Sequence, residues 1–154
     1  MNKIEELQKK SSAASKSAGY DYQFYYFVYL TLNIESEEQI AFEVKDDIHI
    51  DRSNGTTTLF QAKHGVLTKE GKPQNLSTTD NGFWDTISRW AGFIKADDKH
   101  PAFLDSHDFV FVSNKDAKEN DFVVSLLEFQ KHVKALCCID FWKICCHKIS
   151  NATH

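Results

Sequence analysis

Glu43-Val44-Lys45-Asp46-Asp47-Ile48-His49-Ile50 and, after a short turn, Leu59-Phe60-Gln61-Ala62-Lys63-His64 decide how this chain is read. Both runs are strand-like, and both carry polar residues where a half-buried strand places apolar ones. Ser53-Asn54-Gly55 stands between them. Asn-Gly favours positive φ and a tight hairpin, so the two polar sets are expected side by side. Gln61 and Lys63 share a strand face with Leu59, while Phe60 and Ala62 take the other. Glu43 and Asp47 have matching parity if the first run is one unbroken strand. Asp46 is the alternative if the run bends at Lys45. An acidic cluster beside Gln-x-Lys can hold a divalent metal and set a lysine next to it.

Working outward, Tyr20 to Leu30 is apolar almost all round, with Gln23 as a polar exception. This predicts a helix buried on most of its faces. Gln39 to Glu43 reads as a strand, which Asp47 to Asp51 continues or restarts after a bend. Thr56 to His64 is the returning strand, and residues 65–79, with Gly71 and Pro73, form a loop. Asp80 or Ser77 caps a helix whose apolar positions Phe83, Trp84, Ile87, Trp90, Ala91 and Ile94 have helical spacing. Lys95 to His100 and Pro101 break it. Phe109-Val110-Phe111-Val112-Ser113 is a continuous apolar run, expected as a strand covered on both faces. Asn120 or Asp121 caps a last helix through Phe122, Leu126, Leu127, Phe129 and Val133. The order helix, strand, strand, helix, strand, helix predicts an α/β architecture with a small mixed central sheet flanked by helices.

The chain has 154 residues, the size of one domain, and 42% are apolar, including twelve Phe, five Tyr and three Trp, ample for a core. Its formal charge is −4, so no general basic coat for nucleic acid is present, though a local basic patch remains compatible with that total. No apolar run reaches the roughly 18 residues that span a bilayer, and the first residues lack a signal-peptide core, which predicts a cytoplasmic protein without a membrane partner. Residues 1–18 read as an N-terminal arm or short helix, 19–135 as the folded domain, and 136–154 as an atypical cysteine-rich tail. Cys137, Cys138, Cys145, Cys146 and His147 lie in that tail. Adjacent cysteines lack the two-to-four-residue spacing of paired zinc ligands, so they read as small buried apolar residues.

Cleaving a phosphodiester requires neutralised charge, a nucleophilic water and a stabilised leaving oxygen. Carboxylate oxygens suit Mg²⁺, which keeps waters and accepts a phosphate oxygen. A nearby lysine can orient the water or stabilise developing charge. Gln61 can offer its amide oxygen to the metal or brace the water. His49 and His64 flank this arrangement. Arg89, Lys69 and Lys72 are candidates for phosphate contacts.

Taken together, Gly19-Tyr20-Asp21-Tyr22-Gln23, Glu43 through Asp47-Ile48, Gln61-Ala62-Lys63-His64, Phe83-Trp84 with Arg89-Trp90, and Phe109 to Asn114 resemble the PD-(D/E)xK nuclease superfamily. The Mrr-like variant, with Gln before x-Lys, is the nearest form. The pattern is most similar to the N-terminal double-stranded DNA endonuclease domain of CBASS anti-phage effectors, over about Gly19 to Phe129. The resemblance implies a restriction-endonuclease-like fold and Mg²⁺-dependent hydrolysis of duplex DNA with low sequence specificity, Mn²⁺ being an alternative metal. It implies Asp47 as the metal-binding aspartate, Gln61 and Lys63 as the (D/E/Q)-x-K element, and Gln23 at the place of a helix glutamate that completes the metal site. Glu43 is then the second acid and Asp46 its alternative. The related effectors carry a second, controlling domain, and residues 137–154 do not look like that family. The partners to expect are DNA, and further copies of the chain or a separate regulatory protein. The alternative readings are a non-catalytic binding or regulatory module, or RNA cleavage.

Overall fold

The computed structural model describes residues 13–65, 67, 70–72, 74–136 and 143–145. Helix α1, Ala13–Thr31, leads through a polar connector into three short strands, β1 Gln39–Phe42, β2 Ile48–Asp51 and β3 Thr57–Lys63. Helices α2, Asn81–Ala96, and α3, His100–Ser106, follow, then β4 His107–Ser113, helix α4 Asp121–Leu136 and β5 Lys143–Cys145. The sheet order is β1-β2-β3-β4-β5. β1, β2 and β3 pair antiparallel, whereas β4 runs parallel to β3 and β5 parallel to β4. The molecule is therefore mixed α/β, with helices on both sheet faces.

Two turns set the antiparallel half. Asn54-Gly55 closes β2 onto β3 as expected: Gly55 has φ +83°, and the register pairs Asp51 with Thr57 and Ile48 with Phe60. The other turn differs from the unbroken-strand expectation. Residues 43–47 leave the sheet between β1 and β2, with Glu43 at φ +57°. The Glu43 N–H donates to the Asp47 carbonyl at 2.9 Å. Glu43 and Asp47 thus close a hairpin turn, and strand parity does not relate them.

Strand alternation divides the core into two clusters. Ile48, Ile50, Phe60, Ala62, Val110 and Val112 face α1, where Tyr22, Tyr26, Phe27 and Leu30 cover them. Leu59, Phe109 and Phe111 face the other way and pack with Phe83, Trp90, Val123 and Leu76. The Phe109–Val112 run is covered on both sides, as a continuous apolar strand requires. Asp80 caps α2 by accepting from the Phe83 N–H at 3.0 Å, and the Asn120 side chain caps α4 by accepting from the Val123 N–H at 3.0 Å. Helix α2 ends at Ala96, inside the expected break, and Pro101 stands in the first turn of the next helix, α3, where its missing N–H is not needed. The tail contributes β5, a strand the sequence left undecided.

The first helix departs from its expected burial. Its inner face packs on the sheet, but Tyr25 is 72% exposed and Leu32, just past its end, 81%. The 1–12 part of the expected N-terminal arm, Lys69, Cys137, Cys138, Cys146 and His147 lie outside the described residues, and so does the Cys145 side chain. Among the described residues, no helix is long and apolar enough to cross a membrane.

Candidate functional site

The N-terminal end of β2 lies beside the C-terminal end of β3, because the two strands are antiparallel. Asp46 and Asp47 therefore arrive next to Gln61, Ala62 and Lys63. Asp47 is 8% exposed and Gln61 1%, so these polar groups are built into the core rather than displayed on a surface. A buried polar group must be hydrogen-bonded. The Asp47 Oδ2 accepts from the Ala62 N–H at 2.9 Å, from Gln23 Nε2 at 2.8 Å and from Gln61 Nε2. Gln23 reaches this point from α1, where it replaces an apolar residue on the helix face toward the sheet. Its amide nitrogen also lies 3.5 Å from the Ala62 carbonyl. In this arrangement Gln23 donates to Asp47.

Asp46 has a different environment. Its side chain is fully buried; Oδ2 accepts from the Trp90 Nε1–H at 2.7 Å, and Oδ1 accepts from Arg89 Nη1 at 3.1 Å and from the Asp47 N–H at 3.0 Å. Arg89 Nη1 donates as well to Gln61 Oε1, at 2.7 Å. One guanidinium on α2 thus joins the acidic turn to the middle of β3. Both Asp46 oxygens are committed to α2, whereas among the described residues no donor reaches the Asp47 Oδ1. That difference separates the two adjacent acids, one anchored and one with an oxygen to spare.

Charge around Asp47 is unbalanced. Burial pushes its carboxyl above the usual carboxylate range. The Ala62 N–H and the Lys63 ammonium oppose the rise, and Asp46 and Glu43 add to it. Glu43 and Lys63 are thus near enough to act on Asp47. Three carboxylates, Glu43, Asp46 and Asp47, face two cations, Arg89 and Lys63. Lys63 makes no ion pair within 4 Å among the described residues, so its ammonium is available to a ligand. Its stem runs by the start of α2, with Cδ 4.0 Å from where a side chain at Gly82 would begin.

The rim is held by Gly65 and Asn114. The Asn114 side chain accepts from the Gly65 N–H at 2.6 Å and donates to the Gly65 carbonyl at 2.8 Å. A Cβ at Gly65 would stand 2.7 Å from Lys115 Cγ, and the Lys115 ammonium is bound to Asp80. The exits of β3 and β4 and the start of α2 are locked together there.

Other candidates fall elsewhere. His49 is 5% exposed on the Leu59 side of the sheet, with Nε2 3.7 Å from Asp51. Burial and then Lys45 lower its pKa below the usual histidine range. His64 is exposed, its ring 5.6 Å from Tyr22. Lys72 lies on the surface 3.9 Å from Glu70. The anchoring roles of Arg89 and Trp90 went unread in the sequence. A buried Trp needs a partner for its N–H, but nothing local in the sequence marked Asp46 as that partner.

A hard cation is served by oxygen donors. Asp47 Oδ1, the exposed Glu43 carboxylate and the Gln61 amide oxygen are of that kind, the last only if it turns from Arg89. The excess negative charge suits a cation, so the donor chemistry fits Mg²⁺ or Mn²⁺. Among the described residues, no group of three or more His, Cys, Asp or Glu converges to hold a metal ion, so Gln61 would have to contribute. Compared with known protein families, with curated proteins and with solved structures, the chain matches none.

Proposed function

We propose that this chain is a metal-dependent endonuclease domain of the restriction-endonuclease-like fold, hydrolysing DNA, duplex by preference and with little sequence selectivity, in cytoplasmic anti-phage defence. The observation that supports it best is the meeting of Gln23, Asp47, Gln61 and Lys63, from three separate elements, at one end of the sheet. A fold stabilised only by packing has no need of a buried acid with an uncommitted oxygen beside an unpaired lysine. Asp47, Glu43 and the Gln61 amide oxygen would hold Mg²⁺ or Mn²⁺, which when bound lowers the pKa of its water and polarises the phosphoryl group. Lys63 then stabilises charge developing on the phosphate or orients the attacking water. Gln23 and the Ala62 N–H fix the Asp47 carboxylate so that its free oxygen keeps one direction. Arg89 holds Asp46 and leaves donors toward solvent for a phosphate, since its side chain is 43% exposed.

Incubation of the purified protein with plasmid and Mg²⁺ tests this. Nicking that EDTA abolishes is expected, with a loss of at least about a hundredfold in Lys63→Ala, the scale of removing one oriented electrostatic donor. Asp47→Ala is expected to be inactive with its helix content intact. Full cleavage by Lys63→Ala would sink the site assignment. A second reading, a nuclease fold that binds without cutting, is favoured by one feature: Asp47 Oδ2 and Gln61 Oε1 are already engaged by protein donors. Binding of DNA without chelator-sensitive cleavage would select it, and cleavage of RNA alone would change the substrate class.

A further inference from the structure

Helix α1 presents an apolar face to solvent. Tyr22, Gln23, Tyr26, Phe27 and Leu30 turn inward, yet the outer half carries Tyr20, Phe24, Tyr25, Val28 and Tyr29, with Leu32 just beyond the helix end. These six are exposed by 53, 44, 72, 37, 50 and 81%. Applied to full side-chain areas of about 200 Å², those fractions give roughly 700 Å² of exposed surface. The largest patch on a monomer is typically about 300–600 Å². A standard interface takes roughly 800 Å² from each partner. A helix apolar on every side is one whose outer face is covered in the assembled protein.

We propose that a second copy of this chain covers it, the two α1 helices packing antiparallel about a two-fold axis. The surface is self-complementary in that arrangement. An axis near Tyr26 sets Tyr20 against Leu32 and Phe24 against Val28, and it leaves Tyr25 and Tyr29 about 3 Å out of direct opposition, still within reach of each other's rings. Asp21 is the single charged residue within the Tyr20–Leu32 stretch. The antiparallel order keeps the two copies of Asp21 about 15 Å apart along the helices, at 1.5 Å rise per residue. The patch also continues onto the sheet edge. Phe42 of β1 meets Tyr20 and Phe24 at ring distances of 5.3 and 6.1 Å, and among the described residues β1 pairs only with β2. Obligate two-fold interfaces are apolar and aromatic in this way.

Sedimentation velocity on the full chain tests the proposal without reference to any nuclease activity. The expected species is twice 17.7 kDa. The Tyr25→Lys/Tyr29→Lys chain is expected to run as a monomer with an unchanged circular dichroism spectrum. A photoreactive residue at position 25 is expected to give a covalent dimer on irradiation, a readout that holds even where the lysine variant folds poorly. A wild-type monomer overturns the proposal, whether residues 1–12, residues 137–154 or a lipid vesicle takes the face instead. A dimer that survives both substitutions, or cross-links confined within one chain, overturns it equally.

Discussion

Asp46 and Asp47 are neighbours in sequence with opposite duties. Asp46 is saturated by Arg89, Trp90 and a backbone N–H, whereas Asp47 keeps one oxygen uncommitted. The distinction is testable through stability. Trp90→Phe retains most of the ring volume but strips a hydrogen bond from a fully buried carboxylate. Bonds to charged groups contribute about 1.5–3 kcal/mol, so Trp90→Phe is expected to lose about that much in urea unfolding. A loss under about 0.5 kcal/mol would mean that Asp46 finds another donor, contrary to its anchoring role. Asp80 offers a residue-scale pH test. Burial alone would raise its carboxyl, but Lys115 and the Phe83 and Gly82 N–H groups outweigh that and hold it below the usual carboxylate range. A depressed folded-state pKa means the unfolded chain takes up the proton first. Its stabilisation is therefore complete above the unfolded value near 3.8 and disappears as pH falls through the folded value. Asp80→Ala should lose about 0.5–2 kcal/mol at neutral pH from the cap alone. The gap to wild type should shrink on acidification, as followed by thermal melts between neutrality and strong acid. A gap that stays constant with pH would show that the carboxylate charge contributes nothing.

The elements owe their arrangement to turns, and the two β turns were not equally readable. Asn54-Gly55 announces a hairpin because both residue types accept positive φ. The turn at residues 43–47 contains no Gly, Asn or Pro, and its positive φ falls on Glu43, a residue type that seldom adopts it. The strand parity that related Glu43 to Asp47 therefore had no physical basis, although the turn brings them together by another route. Glu43→Gly is expected to leave stability unchanged or raise it by up to about 1 kcal/mol, relief of the left-handed backbone offsetting the added freedom of the unfolded chain. Cleavage should fall with it if the carboxylate serves the metal, so melting and plasmid assays on one variant separate backbone from chemistry. Gly65 marks the other junction. Gly65→Ala must displace the Lys115 stem that Asp80 holds, and the expected loss is about 1–3 kcal/mol, the range for overpacking. An unaltered melting temperature would show that Lys115 moves aside freely.

Across the whole molecule, what the sequence disclosed was what short-range patterns carry. Alternation in Leu59 to Lys63 placed Gln61 and Lys63 together, and the apolar run Phe109 to Val112 named a strand covered on both faces. Contacts between distant residues stayed hidden: Trp90 lies 44 positions from Asp46, and no local pattern relates an indole N–H to an acid that far away. The apolar circumference of α1 was plain, but whether its outer half is covered depends on partners rather than on this chain's own pattern. The same long-range assembly gives the proposed metal site one global consequence. A site built from α1, the 43–47 turn and β3 exists only in the folded state, so a bound cation stabilises the whole chain by mass action. At a metal concentration about a hundredfold above Kd the gain is about 2.7 kcal/mol. For a chain near this size that corresponds to a rise in Tm of roughly 5–10 °C. Mg²⁺ or Mn²⁺ is expected to raise the melting temperature of the wild type, EDTA to reverse the rise, and Asp47→Asn to abolish it while its metal-free melting stays cooperative. This separates metal binding from turnover, since it needs no substrate. An equal rise in Asp47→Asn would place the cation elsewhere on the surface, and no rise in the wild type would leave the excess charge around Asp47 to be met by Lys63 and Arg89 alone.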